Sequence, residues 1–386
     1  ITLTNDFILT KGIFDINAYL LTLQVGSDIV GADYNESKMI TSDGVYSNVG
    51  ISKVFSSVYN GQTFTFPLGT SGKYTPVDLT ITNIDNPGSI RVNNINSQHP
   101  GVIDPTNVLA YFWDIESNGI TNFTGTFVMN YLDDDVRVTG TNTEADYIAA
   151  HLLLPGTSWS KANNVNDIDN TITFNFGGTN SLSGEYTAGI DEALPDEVPE
   201  FISDRSGNWS TPATWRQIGG DSYTLTGAPN GFILTIAPEH TVTTDANYAT
   251  SYRIAIEGTL KVVNPTYGHN LGTVTGSGTL YLENGTFPAG RYLYFFDCDN
   301  NSTLEYSGST DYALVADLYS TIANLHFTGT GSRTLPNRDL SICNELIIDG
   351  PTVDNTVNNK KLTIEGTLER YNTGAFISGT GANATV

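Results

Sequence analysis

The phrase Ile256-Glu257-Gly258-Thr259-Leu260 returns as Ile364-Glu365-Gly366-Thr367-Leu368, and between the two copies leucines recur at Leu280, Leu304, Leu325 and Leu346. From Leu260 to Leu368 the steps are 20, 24, 21, 21 and 22 residues. A repeat of this length is one coil of a solenoid, which buries its apolar face only when a neighbouring coil stacks on it. Each coil has room for two or three short strands, with Thr and Val on the pleated surface and Gly and Asn at the corners. About five to seven such coils, pairing in parallel, would make a rod of about 25–35 Å.

Helical periodicity is nearly absent from the rest of the chain. Its best case, Glu144–Ala150, reads equally well as a strand. Residues 1–60 resemble further coils, with Leu3-Thr4 and Leu23-Gln24 one coil length apart. Over 61–190 the apolar runs lengthen. Candidate strands at 62–66, 76–83, 89–93, 107–115, 121–131, 146–154 and 171–176 fit an antiparallel sandwich with Trp113 and Trp159 as inward anchors. The acidic, proline-punctuated stretch 191–203 reads as a linker, and the main solenoid follows over 204–386. The expected fold is therefore all-β, with parallel β-helix coils flanking an antiparallel β-sandwich. The chain opens at Ile1 on a strand pattern and closes on Gly379-Thr380-Gly381, so both ends read as cut from something longer, with processing at Ile1 as the alternative.

Among 386 residues, 41 are acidic and 17 basic, a net charge of −24 that repels phosphate backbones and argues against nucleic acid as a partner. Polarity comes mostly from Thr, Ser, Asn and Gly, as in secreted β proteins. No apolar run is long enough to span a membrane as a helix, so no membrane insertion is expected. The two cysteines, Cys298 and Cys343, lie about two coils apart. Stacked strands would hold their Cα atoms about 9–10 Å apart, beyond the reach of a disulfide, so two buried free thiols are expected.

Chemistry is sparse. Gly69-Thr70-Ser71-Gly72-Lys73 looks like the tail of a phosphate loop, but Tyr74 stands where Ser or Thr must hold magnesium, and a strand-to-strand turn is the better reading. None of His99, His151, His240, His269 and His326 has a second His or Cys at zinc-ligand spacing. Asp297-x-Asp299-x-Asn301, Asp114-x-Glu116-x-Asn118 and Asp133-Asp134-Asp135 have oxygen spacings suited to calcium but no closing Glu, so solvated turns are the first reading and no cofactor is expected beyond a calcium candidate. Arg291 and Arg333, two coils apart, would share a face without an acid partner, and no catalytic residue is expected. Tyr281, Tyr292, Tyr294 and Phe296 are the candidate glycan-stacking group, because alternation over 292–296 places three rings on one side of a strand. Core filling is the competing reading. A binding face of aligned Thr is weaker, since pairs such as Thr80-x-Thr82 fall outside the regular coils.

Two segments resemble a known family. Ser206-Gly207-Asn208-Trp209-Ser210-Thr211-Pro212-Ala213-Thr214-Trp215, followed by Gly227-Ala228-Pro229-Asn230 and Ile236–Val242, is similar to the opening of β-helical repeats in large surface proteins that gliding bacteria export by type 9 secretion. Lys53-Val54-Phe55 with Phe64–Gly69 and Tyr74–Val77 resembles the sandwich that follows the coils in those proteins. The resemblance implies a non-enzymatic adhesin or stalk segment at the cell surface, in contact with an extracellular surface, a glycan, or adjacent segments of the same long chain. It carries over no catalytic residues. Trp209 and Trp215, six residues apart, are expected on one side of an extended strand, plugging the first coil.

Overall fold

A computed structural model describes residues 1–379 apart from 18, 45–48, 154–155, 264, 293 and 315–318; Leu154 of the expected 146–154 strand and the closing Thr380-Gly381 lie outside the described residues. The fold is all-β, with parallel solenoid coils and an antiparallel sandwich, in two compact units, Ile1–Val198 and Pro199–Val386.

In the first unit Thr2–Leu3, Leu20–Leu23 and Gly50–Phe55 pair in parallel, with Leu3 opposite Leu23. The free edge of Gly50–Phe55 then takes Gly88–Ile95 as an antiparallel neighbour, and Phe112–Asn118, Gly184–Gly189, Ile148–Leu153 and Ser160–Ala162 complete one eight-stranded sheet. A five-stranded sheet, from Val165–Asn166 through Thr171–Thr179, Phe123–Asn130 and Val77–Asn83 to Gln62–Phe66, forms the second layer. The expected border at residue 60 does not separate two bodies. One continuous core runs from Leu9 and Leu21 through Phe66, Trp113 and Phe127 to Ala193, because the solenoid sheet itself continues into the sandwich. Trp113 belongs to that core, whereas Trp159 is buried elsewhere, edge-on to His99 at 4.7 Å. The ambiguous 144–150 segment divides into a single 3-10 turn, Glu144–Asp146, and the strand Ile148–Leu153.

The expected linker is not free. Ala193, Leu194 and Val198 are buried, and Trp159 and Val198 donate backbone hydrogen bonds to Asp196 and Thr157. Glu200–Ser203 is already a strand of the second unit. The acidic side chains that suggested a linker point outward from a backbone anchored by the apolar residues between them.

In the second unit the leucine ladder is a stacked column. Val242, Leu260, Leu280, Leu304, Leu325, Leu346 and Leu368 are partners rung by rung across Thr241–Thr243, Thr259–Val262, Thr279–Leu282, Thr303–Tyr306, Thr321–Thr328, Leu340–Asp349 and Thr367–Tyr371. The glycine of the recurring phrase is required by close approach. A Cβ on Gly258 would lie 2.3 Å from the Ala237 carbonyl oxygen, and one on Gly366 1.8 Å from that of Asn344. A second parallel face runs from Glu200–Ser203 through Ile233–Ile236, Arg253–Ile256 and Asn270–Thr275 to Ala289–Arg291, with Trp215–Gly219 added antiparallel at its start. A third, Tyr312–Ala313, Ser332–Thr334, Thr352–Asp354 and Ala375–Ile377, serves the later coils.

Two expectations about this unit are corrected. Cys298 and Cys343 form a disulfide, with Cα atoms 5.5 Å apart. Leu304, Leu325 and Leu346 mark successive rungs, but the cysteines do not occupy equivalent strand positions. Cys298 begins a 3-10 turn, Cys298–Asn300, inside the longest step of the leucine ladder, and Cys343 sits where the register shifts between Ile342 and Glu345. The turn and the shift together close the gap, and Asn344 Nδ2 donates to the Cys298 carbonyl at 3.2 Å. Trp209 and Trp215 are buried in contact, ring centroids 5.5 Å apart, but not along one extended strand. The 3-10 turn Pro212–Thr214 folds the chain back, so that Trp215 Nε1 donates to the Trp209 carbonyl at 3.0 Å and Trp209 Nε1 to Asn230 Oδ1 at 3.0 Å.

Candidate glycan-contact surface

The four aromatic candidates do not assemble into a platform. After Ala289–Arg291 the chain leaves the extended conformation, and the Phe296 amide donates to the Tyr292 carbonyl at 3.0 Å, the closure of a helix-like turn. Residues 292 and 296 then face the same way, inward. Their rings stack at 5.5 Å beside Phe287, Phe295 and Tyr319. Tyr292 donates to the Pro288 carbonyl at 3.1 Å, and burial raises its hydroxyl pKa far above the ordinary tyrosine value. Tyr292 and Phe296 are therefore core. Tyr294 is 61 % exposed and Tyr281 lies on a different sheet, so neither joins them.

Tyr281 is part of an outward column built by the ladder's alternation. Thr243, Lys261, Tyr281, Glu305, His326, Ile347 and Glu369 stand in register on consecutive rungs, about 4.8 Å apart. The column is cross-linked by its own polar contacts. Lys261 Nζ sits 4.8 Å from the Tyr281 ring centroid, the Tyr281 hydroxyl donates to Ser307 at 2.8 Å, Thr328 donates to Glu305 at 2.7 Å, and His326 Nε2 meets Glu345 at 3.0 Å. Beside it Thr241, Thr259, Thr279 and Thr303 align on four successive rungs, a threonine column inside the regular coils that spacing alone did not show.

A second aromatic feature was also missed. Tyr248 and Tyr267 are 60 % and 51 % exposed, with ring centroids 5.4 Å apart and planes at 75°. The Tyr248 amide donates to the Tyr267 carbonyl at 2.8 Å, joining the turns of adjacent coils. Tyr248 has φ +59°, a conformation costly for a bulky residue and common where function constrains the backbone. Buried polar groups hold the turns from below. Thr244 and Thr266 hydroxyls meet at 2.9 Å, His269 Nδ1 accepts from the Ala249 amide at 3.1 Å, and His269 Nε2 lies 3.1 Å from Thr266 Oγ1. Burial lowers the His269 pKa and keeps the ring neutral, as the accepting Nδ1 requires. The sequence carries only their spacing, about one coil length, between two tyrosines that each read as a loop residue.

The other motifs resolve into structural roles. Gly69–Lys73 is the hairpin between Leu68–Thr70 and Lys73–Tyr74. Asp297 caps the Cys298–Asn300 turn, accepting from the Asp299 amide. Asp114 and Glu116 both pair with Arg91, at 2.6 and 3.1 Å, and Asp135 is buried against Lys73. Among the described residues no three His, Cys, Asp or Glu side chains converge as a metal site would require. Arg291 and Arg333 lie on different sheets rather than sharing one. Arg333 is buried, donating to the Thr310 and Gly308 carbonyls at 2.8 and 2.9 Å with its guanidinium 4.3 Å from the Tyr312 ring.

No protein-family model, curated protein or solved structure matches the chain. Among the described residues no helix is long and apolar enough to cross a membrane.

Proposed function

We propose that this chain is a non-enzymatic segment of a large extracellular or cell-surface protein, serving as a stalk or adhesin. The observation that carries this reading is the Cys298–Cys343 disulfide set across the parallel ladder. Structural disulfides persist in oxidising surroundings and are rare in reducing ones. A rung-on-rung solenoid is also an extendable architecture whose length grows by repetition, with each coil contacting only its neighbours. The acidic, hydroxyl-rich surface agrees with an extracellular setting.

A glycan-binding or glycan-cleaving role is the second reading, favoured by Tyr248 and Tyr267. Exposed rings offer flat apolar faces to the C–H side of a sugar. Binding with no chemistry keeps the adhesin reading intact.

One experiment separates these roles. The protein is titrated against a panel of soluble polysaccharides while retention and release of new reducing ends are followed together. Retention without release, weakened at least tenfold by Tyr248→Ala with Tyr267→Ala, supports adhesion. Release of reducing ends at a rate tracking protein concentration would overturn the non-enzymatic reading. Differential alkylation of protein from its native cells tests the setting: a reduced Cys298–Cys343 pair contradicts an extracellular one.

A further inference from the structure

The Gly69–Lys73 hairpin delivers an amine to two side chains remote in sequence. Lys73 Nζ donates to Asn96 Oδ1 at 2.9 Å and is paired with the Asp135 carboxylate. The Asp135 side chain is fully buried, while that of Lys73 is 24 % exposed. Its second oxygen, Oδ2, is buried with no hydrogen-bond partner among the described residues. The buried Tyr111 ring lies 5.7 Å from Nζ. The backbone fixes all three: Lys73 on the strand Lys73–Tyr74, Asn96 through its amide on the Gly44 carbonyl at 3.0 Å, and Asp135 through the Ala110 amide on its carbonyl at 2.7 Å. An amine held against a side-chain amide, beside a buried carboxylate, is an arrangement for acyl transfer. Fixed proximity of this kind replaces a large part of the barrier to a bimolecular step.

We propose that Lys73 and Asn96 condense into a side-chain amide, with Asp135 as the proton-transferring residue. Asp135 takes a proton from the Lys73 ammonium, and the freed Nζ lone pair adds to Asn96 Cγ. Asp135 returns the proton to Asn96 Nδ2, a second proton leaves the attacking nitrogen, and the Cγ–Nδ2 bond breaks. A Cγ–Nζ bond has replaced a Cγ–Nδ2 bond, and ammonium leaves through the exposed side of Asn96. No oxidant, reductant or cofactor enters the balance. The product ties the hairpin to the end of the Gly88–Ile95 strand, 23 residues away in sequence.

The test is the intact mass of the purified wild-type protein after reduction of its disulfide. The expected mass is lower than the sequence mass by one ammonia, and digestion yields a branched peptide joining Lys73 to Asn96. Asp135→Asn, Lys73→Arg and Asn96→Ala are each expected to abolish that loss. Full sequence mass in the wild type overturns the proposal whether or not any variant folds. Loss of one water instead places the acyl group on Asp135 and overturns the role given to Asn96. A loss of ammonia that survives Lys73→Arg is ring closure at Asn96 alone, and overturns it too.

Discussion

Both units start a parallel ladder on an apolar column, and they part at its third position. In residues 1–198 the column reads Leu3, Leu23, Lys53. In 199–386 it reads Val242, Leu260, Leu280, Leu304, Leu325 and Leu346, each at most 1 % exposed. Lys53 is buried as deeply as a leucine, and its ammonium must be met by the Gln24 and Val54 carbonyls, Asp28 and the face of Tyr59. Burial lowers its pKa, with Asp28 pulling the other way. The strand carrying this lysine is the one whose far edge accepts an antiparallel neighbour. The contrast shows what sustains a solenoid. A coil continues where one side-chain column offers the same apolar shape at each rung, and gives way to another architecture where it does not.

Damage to one unit should leave the other intact. Trp209→Ala empties the first coil of the second unit and is expected to cost about 3–5 kcal/mol there. Calorimetry of the full chain should show the transition of 199–386 falling while that of 1–198 stays in place. An equal fall in both would mean that the two ladders melt as one. A smaller effect follows from Cys298→Ser with Cys343→Ser, expected to cost about 2–4 kcal/mol in the same unit by releasing a constraint on the unfolded chain. An unchanged second transition in the double variant would show that the leucine column alone holds the rungs.

Acid distinguishes the units more gently. His151, packed among Tyr186, Phe174 and Phe176 in the first unit, is held neutral by burial, its pKa pushed down to about 4. Unfolding exposes a histidine that takes up a proton near its ordinary value, so the stability from keeping it neutral is whole above about pH 6.5 and drains as pH falls toward 4. The expected loss across that window is about 2–3 kcal/mol. His269 should draw the second unit the same way, since its pKa is also lowered by burial. His151→Phe should flatten the acid slope of the first unit alone, and a slope that persists there would assign it to other groups.

The parts of the fold legible in the sequence are those governed by period. The leucine register, the Leu3–Leu23 pair and most strands of the sandwich follow from alternation and corner residues, which act locally. What stayed hidden depends on where the chain departs from its period. The longest step of the leucine ladder, between Leu280 and Leu304, spends its extra residues on the turns that bury Tyr292 and Phe296 and lift Cys298 toward Cys343. Counting rungs could not anticipate either result, because both come from non-extended backbone. The candidate surface failed for the same reason: alternation presumes a strand over 292–296, and the described residues there form none. Tyr248 and Tyr267 escaped because each looks like an isolated loop residue until adjacent coils place them side by side.

The disulfide across the ladder has a mechanical consequence. Under a load applied at its two ends, the chain between Cys298 and Cys343 cannot pay out, and the bond withholds a span of 45 residues. At about 3.4 Å per residue that is about 150 Å of tether. The distance the segment yields before it breaks is thus set by the redox state of its surroundings. An oxidised copy is a short, stiff line, and a reduced one is a longer line that gives.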